Sequence, residues 1–156
     1  MSIQILESGV LFGDFDADSL FQIEQSEAVK KLGDGISKVE FIYRAENEHN
    51  VIFLEAKSSY PRDAVAFFEE IKQKMLHSLI IWFTSVSGRH LNIKEELGQN
   101  LNKIKLLRKP IQLLLVIPKM PDDACVQASH RFRKSWDVER RLWNIKDIDI
   151  VVLNTE

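Results

Sequence analysis

The clearest pattern along the chain is a pair of apolar segments around one polar turn. In KVEFIYR, residues 38–44, Val39, Phe41 and Tyr43 fall on one side and Glu40, Ile42 and Arg44 on the other. The polar stretch AENEHN follows, and VIFLEAK, residues 51–57, returns. This predicts a β-hairpin whose return strand is largely buried. Upstream, 3–6 and 10–12 read as short strands on either side of ESG, which suits a turn, and GDFDADS reads as a loop. LFQIE, residues 20–24, reads as another strand before a short helix over 26–32, because its apolar spacing holds no helical stripe. One helix over 18–32 is the competing reading. GDG at 33–35 ends that segment.

Downstream the period changes. SSYPRDAV opens a helix: Ser58 and Ser59 offer capping oxygens, Pro61 suits a first turn, and Asp63 favours the positive helix end. Ala64, Phe67, Phe68, Ile71, Met75, Ser78 and Leu79 recur at spacings of three or four, which predicts a buried face and a helix to about residue 83. After TSVSGRH, a second helix is expected over 93–107, carrying Ile93, Leu97, Leu101 and Ile104. IQLLLVIP, residues 111–118, is apolar throughout and reads as a central strand covered on both faces. PDDACVQASHRFRKSWDVERRLW, residues 121–143, predicts a helix capped by Asp122 or Asp123, and IDIVVLN, residues 148–154, a last buried strand. The later half thus runs α, α, β, α, β, which implies right-handed crossovers and a mixed sheet between helices.

A chain of 156 residues suffices for one compact domain with a sizeable core, and 1–156 is read as a single domain. Charged residues make up 28% and hydrophobic ones 45%, as in ordinary soluble proteins. A net charge of −2 supplies no global field for nucleic acid, so any such surface must be local. Cys125 is the sole cysteine. That excludes an intrachain disulfide and a cysteine-rich zinc site, and fits a reducing compartment. The N-terminal stretch lacks a basic start and carries Glu7 early, so no signal peptide is expected. No apolar run approaches the ~18 residues of a membrane span. The expected location is the cytoplasm.

The end of the return strand carries the chemistry. Glu55 and Lys57 are two apart, so they share a strand face roughly 6.5–7 Å from each other. The hairpin can bring Glu40 near the same strand end. Two carboxylates and a lysine would then converge at a sheet edge beside a helix start. Oxygen ligands of this kind suit Mg²⁺, which usually takes one or two protein carboxylates and keeps several waters. A metal there can polarise a phosphodiester, and an adjacent ammonium can orient water or stabilise developing negative charge.

The stretch KVEFIYRAENEHNVIFLEAKSS resembles the core of the PD-(D/E)XK nuclease superfamily, which includes restriction endonucleases and Holliday-junction resolvases. Glu55-Ala56-Lys57 matches Glu-x-Lys, and Glu40 stands where the family's first aspartate would be. Lys38-Val39-Glu40 replaces the family's Pro-Asp pair, with a side chain one methylene longer. The resemblance follows the order of elements from about 26 to 118. It implies Glu40 and Glu55 as Mg²⁺ ligands, with Mn²⁺ able to substitute, the Ala56 carbonyl as a third ligand, and Lys57 as the water-orienting residue. It also implies a restriction-endonuclease-like α/β/α core, a mixed central sheet flanked by helices, here with an N-terminal strand extension. The family often adds an acidic residue from the helix before the hairpin: Glu27 could play that part, or Glu24 if that segment is helical. Some branches use a Gln or Lys on the following helix, where Lys72, Gln73 and His77 lie on the polar side; Gln73 is the accessory candidate. A homodimer is a further implication.

SHRFRKSWDVERRLW clusters His130, Arg131, Arg133, Lys134, Arg140 and Arg141 with Trp136 and Trp143. These residues suit a phosphate-tracking surface with stacking aromatics. The competing reading is an amphipathic helix that buries Cys125, Ala128, Phe132 and Trp136 and leaves the charges solvated among Asp137 and Glu139. His49 and His90 have no ligand spacing, so no zinc site is expected. The expectation is a Mg²⁺-dependent nuclease-like protein acting on DNA or RNA. The alternative is a catalytically inactive nuclease-fold protein serving as a nucleic-acid-binding or protein-interaction module. If IIWF, residues 80–83, is not core, it could supply an oligomer interface.

Overall fold

The computed structural model describes residues 2–45 and 50–155; most of the AENEHN turn, with His49, lies outside the described residues. Ser2–Glu7 (β1) and Val10–Asp16 (β2) pair antiparallel. They turn at Ser8 and Gly9, whose φ values of 51° and 80° lie in the left-handed region. The expected loop over 13–19 is therefore shorter: the strand continues to Asp16, and the Asp16 side chain caps the one-turn helix Ala17–Ser19.

Five strands form the main sheet: Leu20–Phe21 (β3), Phe41–Arg44 (β4), Val51–Ala56 (β5), Ile111–Val116 (β6) and Ile150–Leu153 (β7), in that spatial order. The pairs β3–β4 and β4–β5 are antiparallel, while β5–β6 and β6–β7 are parallel. This is a mixed α/β fold with a mixed sheet flanked by helices. β6, apolar apart from Gln112, lies between two parallel neighbours, as its composition predicts.

The helices are Glu27–Lys30 (α1), Ala64–Val86 (α2), Leu91–Glu96 (α3), Asp122–Ser135 (α4) and Asp137–Trp143 (α5). The buried side chains of α1 to α4 join Ile42, Phe53, Leu113 and Ile150 in one core. Phe41, Leu54 and Val116 point the other way and pack with Ile5, Phe12 and Phe15 of the β1–β2 hairpin. The N-terminal hairpin thus covers the face where an α/β/α arrangement would place helices. Strand order explains this. From β5 to β6 to β7 the chain steps in one direction across the sheet, so right-handed crossovers drop α2 and α4 on the same side.

Several boundaries differ from the sequence expectation. LFQIE keeps only β3 extended, and Ile23–Gln25 becomes a one-turn helix. The cap of α2 is Asp63, whose side chain accepts from the Val65 amide, so Ser58, Ser59 and Pro61 lie before the helix. The helix over 93–107 splits into α3 and the one-turn helix Ile104–Arg108. Gly98 sits in the gap, where any side chain would collide with the Asp18 backbone. The neighbouring Asn100 amide donates to Asp18 O at 2.9 Å, so this stretch is docked on the loop after β2 rather than coiled. The helix over 121–143 breaks at Trp136, which is completely buried, and Asp122 and Asp123 occupy its first turn behind Pro121 instead of capping it. Ile81 and Trp82 of IIWF are core; Ile80 is about half exposed.

Candidate functional site

The site is built where β4, β5 and α2 meet. β5 is buried from Val51 to Ala56, yet it ends in Glu55, whose side chain solvent does not reach. The alternation of the strand sets Glu55 on the side of Val51 and Phe53, facing α2. Lys57 continues that face, and its amide donates to Val116 O at 3.0 Å.

Glu40 arrives from the other side. The Glu40 amide donates to Leu54 O at 3.1 Å, one residue before β4 begins. α2 fixes the approach: Ser78 Oγ accepts from the Val39 amide and His77 Nδ1 from the Ser37 amide, both at 3.0 Å. Val39 therefore packs in the helix-side core and not beside Phe41, so the expected alternation of KVEFIYR holds only from Phe41 onward.

The Glu40 carboxyl lies against those of Glu24 and Glu55. Burial, then hydrogen bonding to Glu24 and Glu55, then the charges of both, push its pKa up from 4.5 to about 9. Glu40 is thus protonated at neutral pH. Opposite, Lys74 Nζ lies 2.7 Å from Glu55 Oε2. Burial would lower the Lys74 pKa, but contact with Glu55 and the charges of Glu55, Glu40 and Glu70 overcome it and leave it raised. Glu55 is thus held between this ammonium and the Glu40 carboxyl. Lys57 pairs with Glu70 of α2 at 3.3 Å, not with Glu55. Strand end and helix therefore face each other with complementary charges: Glu55 meets Lys74, and Lys57 meets Glu70.

The expected residues are brought together in part. Glu40, Glu55 and Lys57 share one corner. The Ala56 carbonyl already accepts from Ser8 Oγ at 3.1 Å, so a cation there would use its second lone pair. Glu27 lies on α1, exposed and paired with Lys30 at 3.3 Å, while Glu24 on its one-turn helix is the acidic residue that reaches Glu40. Gln73 is exposed; Lys72 binds Ser135 O and Glu139, and His77 holds the backbone before Glu40. Lys74 was not singled out in the sequence. Its signal was available: Glu70 and Lys74 are four apart on α2 and opposite in sign to Lys57 and Glu55, two apart on the strand.

The basic cluster divides. Arg133 Nε donates to the carbonyls of Asp147 and Ile150, Arg140 pairs with Asp147 at 2.9 Å, and Arg141 with Asp137 at 3.2 Å. Arg131 and Lys134 are exposed, while Trp136 is core and Trp143 packs on Phe83. Cys125 is a buried free thiol on α4, its pKa pushed up by burial and by Asp122.

Among the described residues no group of three or more His, Cys, Asp or Glu could hold a metal ion by itself. What the corner offers is two adjacent carboxyl groups, Glu40 and the wholly buried Glu55. That fits an ion such as Mg²⁺, which completes its shell with water and substrate oxygens. No helix among the described residues is long and apolar enough to cross a membrane. Comparison with protein-family models, with curated proteins and with solved structures found no match to this chain.

Proposed function

We propose that the protein is a Mg²⁺-dependent nuclease-like enzyme of the PD-(D/E)XK kind, hydrolysing phosphodiester bonds of DNA or RNA. The observation that supports this is Glu55: a wholly buried acidic side chain at a strand end, crowded by the carboxyl of Glu40, whose pKa is pushed up to about 9. Carboxyl groups forced together in this way gain by sharing a cation in place of the proton. Glu40 and Glu55 would hold the ion, and when bound it would supply charge stabilisation for the phosphodiester oxygen. Lys57, on the face of Glu55 and 29% exposed, is placed to orient water or meet the extra charge of the transition state. Lys74 balances the charge of Glu55, and Glu24 keeps the Glu40 carboxyl turned toward the site. A cytoplasmic location and a homodimer that cuts both strands belong to the same proposal.

A second reading draws on the 2.7 Å contact between Lys74 and Glu55 and the pairing of Lys57 with Glu70. Both charges of the Glu-x-Lys motif then have partners on α2, as in a nuclease fold kept as a binding or interaction module. Titration with Mn²⁺ by calorimetry, beside a Glu55→Gln variant, separates the two. Binding by the wild type that the variant loses supports the enzyme. No heat in either protein up to millimolar Mn²⁺ favours the inactive module.

A further inference from the structure

Between the start of α2 and the last turns of α4 lies an open groove of about 540 Å³. Arg62, Arg131 and Lys134 line it, all three exposed. Among the described residues none of the three forms an ion pair, unlike Arg140 and Arg141 further along the chain. Two acids share the groove, and both are engaged. The Asp63 side chain accepts from the Val65 amide at 3.2 Å, and Glu69 pairs with Lys72 at 3.5 Å. Arg131 and Lys134 are three apart on α4 and so share a helix face. Val65, 76% exposed, forms an apolar rim beside them.

We propose that this groove holds phosphate groups of a nucleic-acid strand, with Arg62, Arg131 and Lys134 as the contacting residues. The proposal rests on the nuclease reading for its choice of ligand. Three unpaired cations around one concavity suit a chain carrying regularly spaced negative charges, which gains from releasing its counterions. The groove and the carboxylate corner both border α2. Glu69, on its wall, and Glu70, which meets Lys57, are consecutive residues of α2. A strand seated on Arg131 and Lys134 can continue over the first turns of α2 toward Lys57. The basic surface is thus a groove between two helices, and it includes Arg62, which lies outside the basic stretch of the sequence. Arg133, Arg140 and Arg141 are drawn into contacts with the carbonyls and carboxylates of their own segment.

The test is fluorescence anisotropy of labelled single-stranded and duplex DNA and RNA in EDTA, where nothing can be cut by a metal-dependent route. Wild type is compared with Arg62→Ala, Arg131→Ala, Lys134→Ala, the triple variant, and Lys105→Ala, an exposed lysine outside the groove. Circular dichroism checks that each variant is folded. Each groove substitution is expected to weaken binding roughly fivefold near 0.15 M salt and to reduce the salt slope by about 0.7–0.9. Lys105→Ala is expected to leave both unchanged. An unchanged slope in the triple variant, an equal loss from Lys105→Ala, or no binding by the wild type overturns the groove. Binding by groove residues without cleavage in Mg²⁺ or Mn²⁺ keeps the groove and sinks the nuclease. Cleavage that the triple variant retains at full affinity does the reverse.

Discussion

Lys74 Nζ stands 2.7 Å from Oε2 of Glu55, and the Glu55 side chain is wholly out of water. The pair ties the end of a central strand to the middle of α2. Removing the ammonium leaves a buried carboxylate without its cationic partner, which is the costly way to break such a pair. Lys74→Ala is therefore expected to destabilise the protein by about 3 kcal/mol. Glu55→Gln/Lys74→Met, which removes both charges, should lose clearly less. Urea unfolding of the two variants and the wild type measures the difference. Equal losses would show that the charges are not coupled.

Lys57 behaves differently, because its partner Glu70 is 58% exposed. Water already screens that contact, so Lys57→Ala should cost less than about 1 kcal/mol of stability. On the nuclease reading the same substitution should remove cleavage while leaving Mn²⁺ binding in place. A variant that still cuts at the wild-type rate takes Lys57 out of the site.

The Glu40 carboxyl carries a pH signature. In the metal-free fold, burial and then hydrogen bonding to Glu24 and Glu55 raise its pKa from 4.5 to about 9. Between those values the folded state keeps a proton that the unfolded chain has released. Stability is then highest on the acid side of that window and falls as pH rises from about 4.5 to about 9. Glu40→Gln should flatten this decline, with the variant gaining most on the wild type near pH 9. Unfolding in EDTA at a series of pH values checks it; parallel curves for the two proteins would remove Glu40 as the cause.

Ser78 acts at one remove. Its hydroxyl accepts from the Val39 amide in a fully buried position on α2. Ser78→Ala leaves that amide unpaired, at a cost of about 1–3 kcal/mol. The loss should also free the segment that delivers Glu40, so the dependence of stability on pH just described should weaken. A variant with the wild-type pH profile would mean that Glu40 is held from elsewhere.

Much of this was written in local patterns. Ala64, Phe68, Ile71, Met75, Ser78 and Leu79 are buried as their spacing requires, because a helix carries its own period wherever it docks. The apolar strand β6 is fully buried on the side of Leu113 and Leu115 and partly covered on the side of Leu114. The strand Val51–Ala56, with Glu55 inside its end and Lys57 just past it, was equally legible, and with it the neighbourhood of Glu40. Local rules failed where long-range contacts decided. Gly98 and Asn100 dock on Asp18 and Ser19, and the helix expected there breaks. The buried Trp136 splits the last helical segment.

By itself, then, the chain determined the order and type of the main elements and the strand end on which Glu55 and Lys57 lie, since these follow from residue spacing and turn chemistry. Tertiary structure alone decided which partner each charge takes, that Glu24 rather than Glu27 reaches Glu40, and that a hairpin rather than helices covers one face of the sheet. Side-chain pairing depends on the separation of whole elements in space. A few ångströms between α2 and β5 bring Lys74 onto Glu55, and no spacing within either segment encodes that distance.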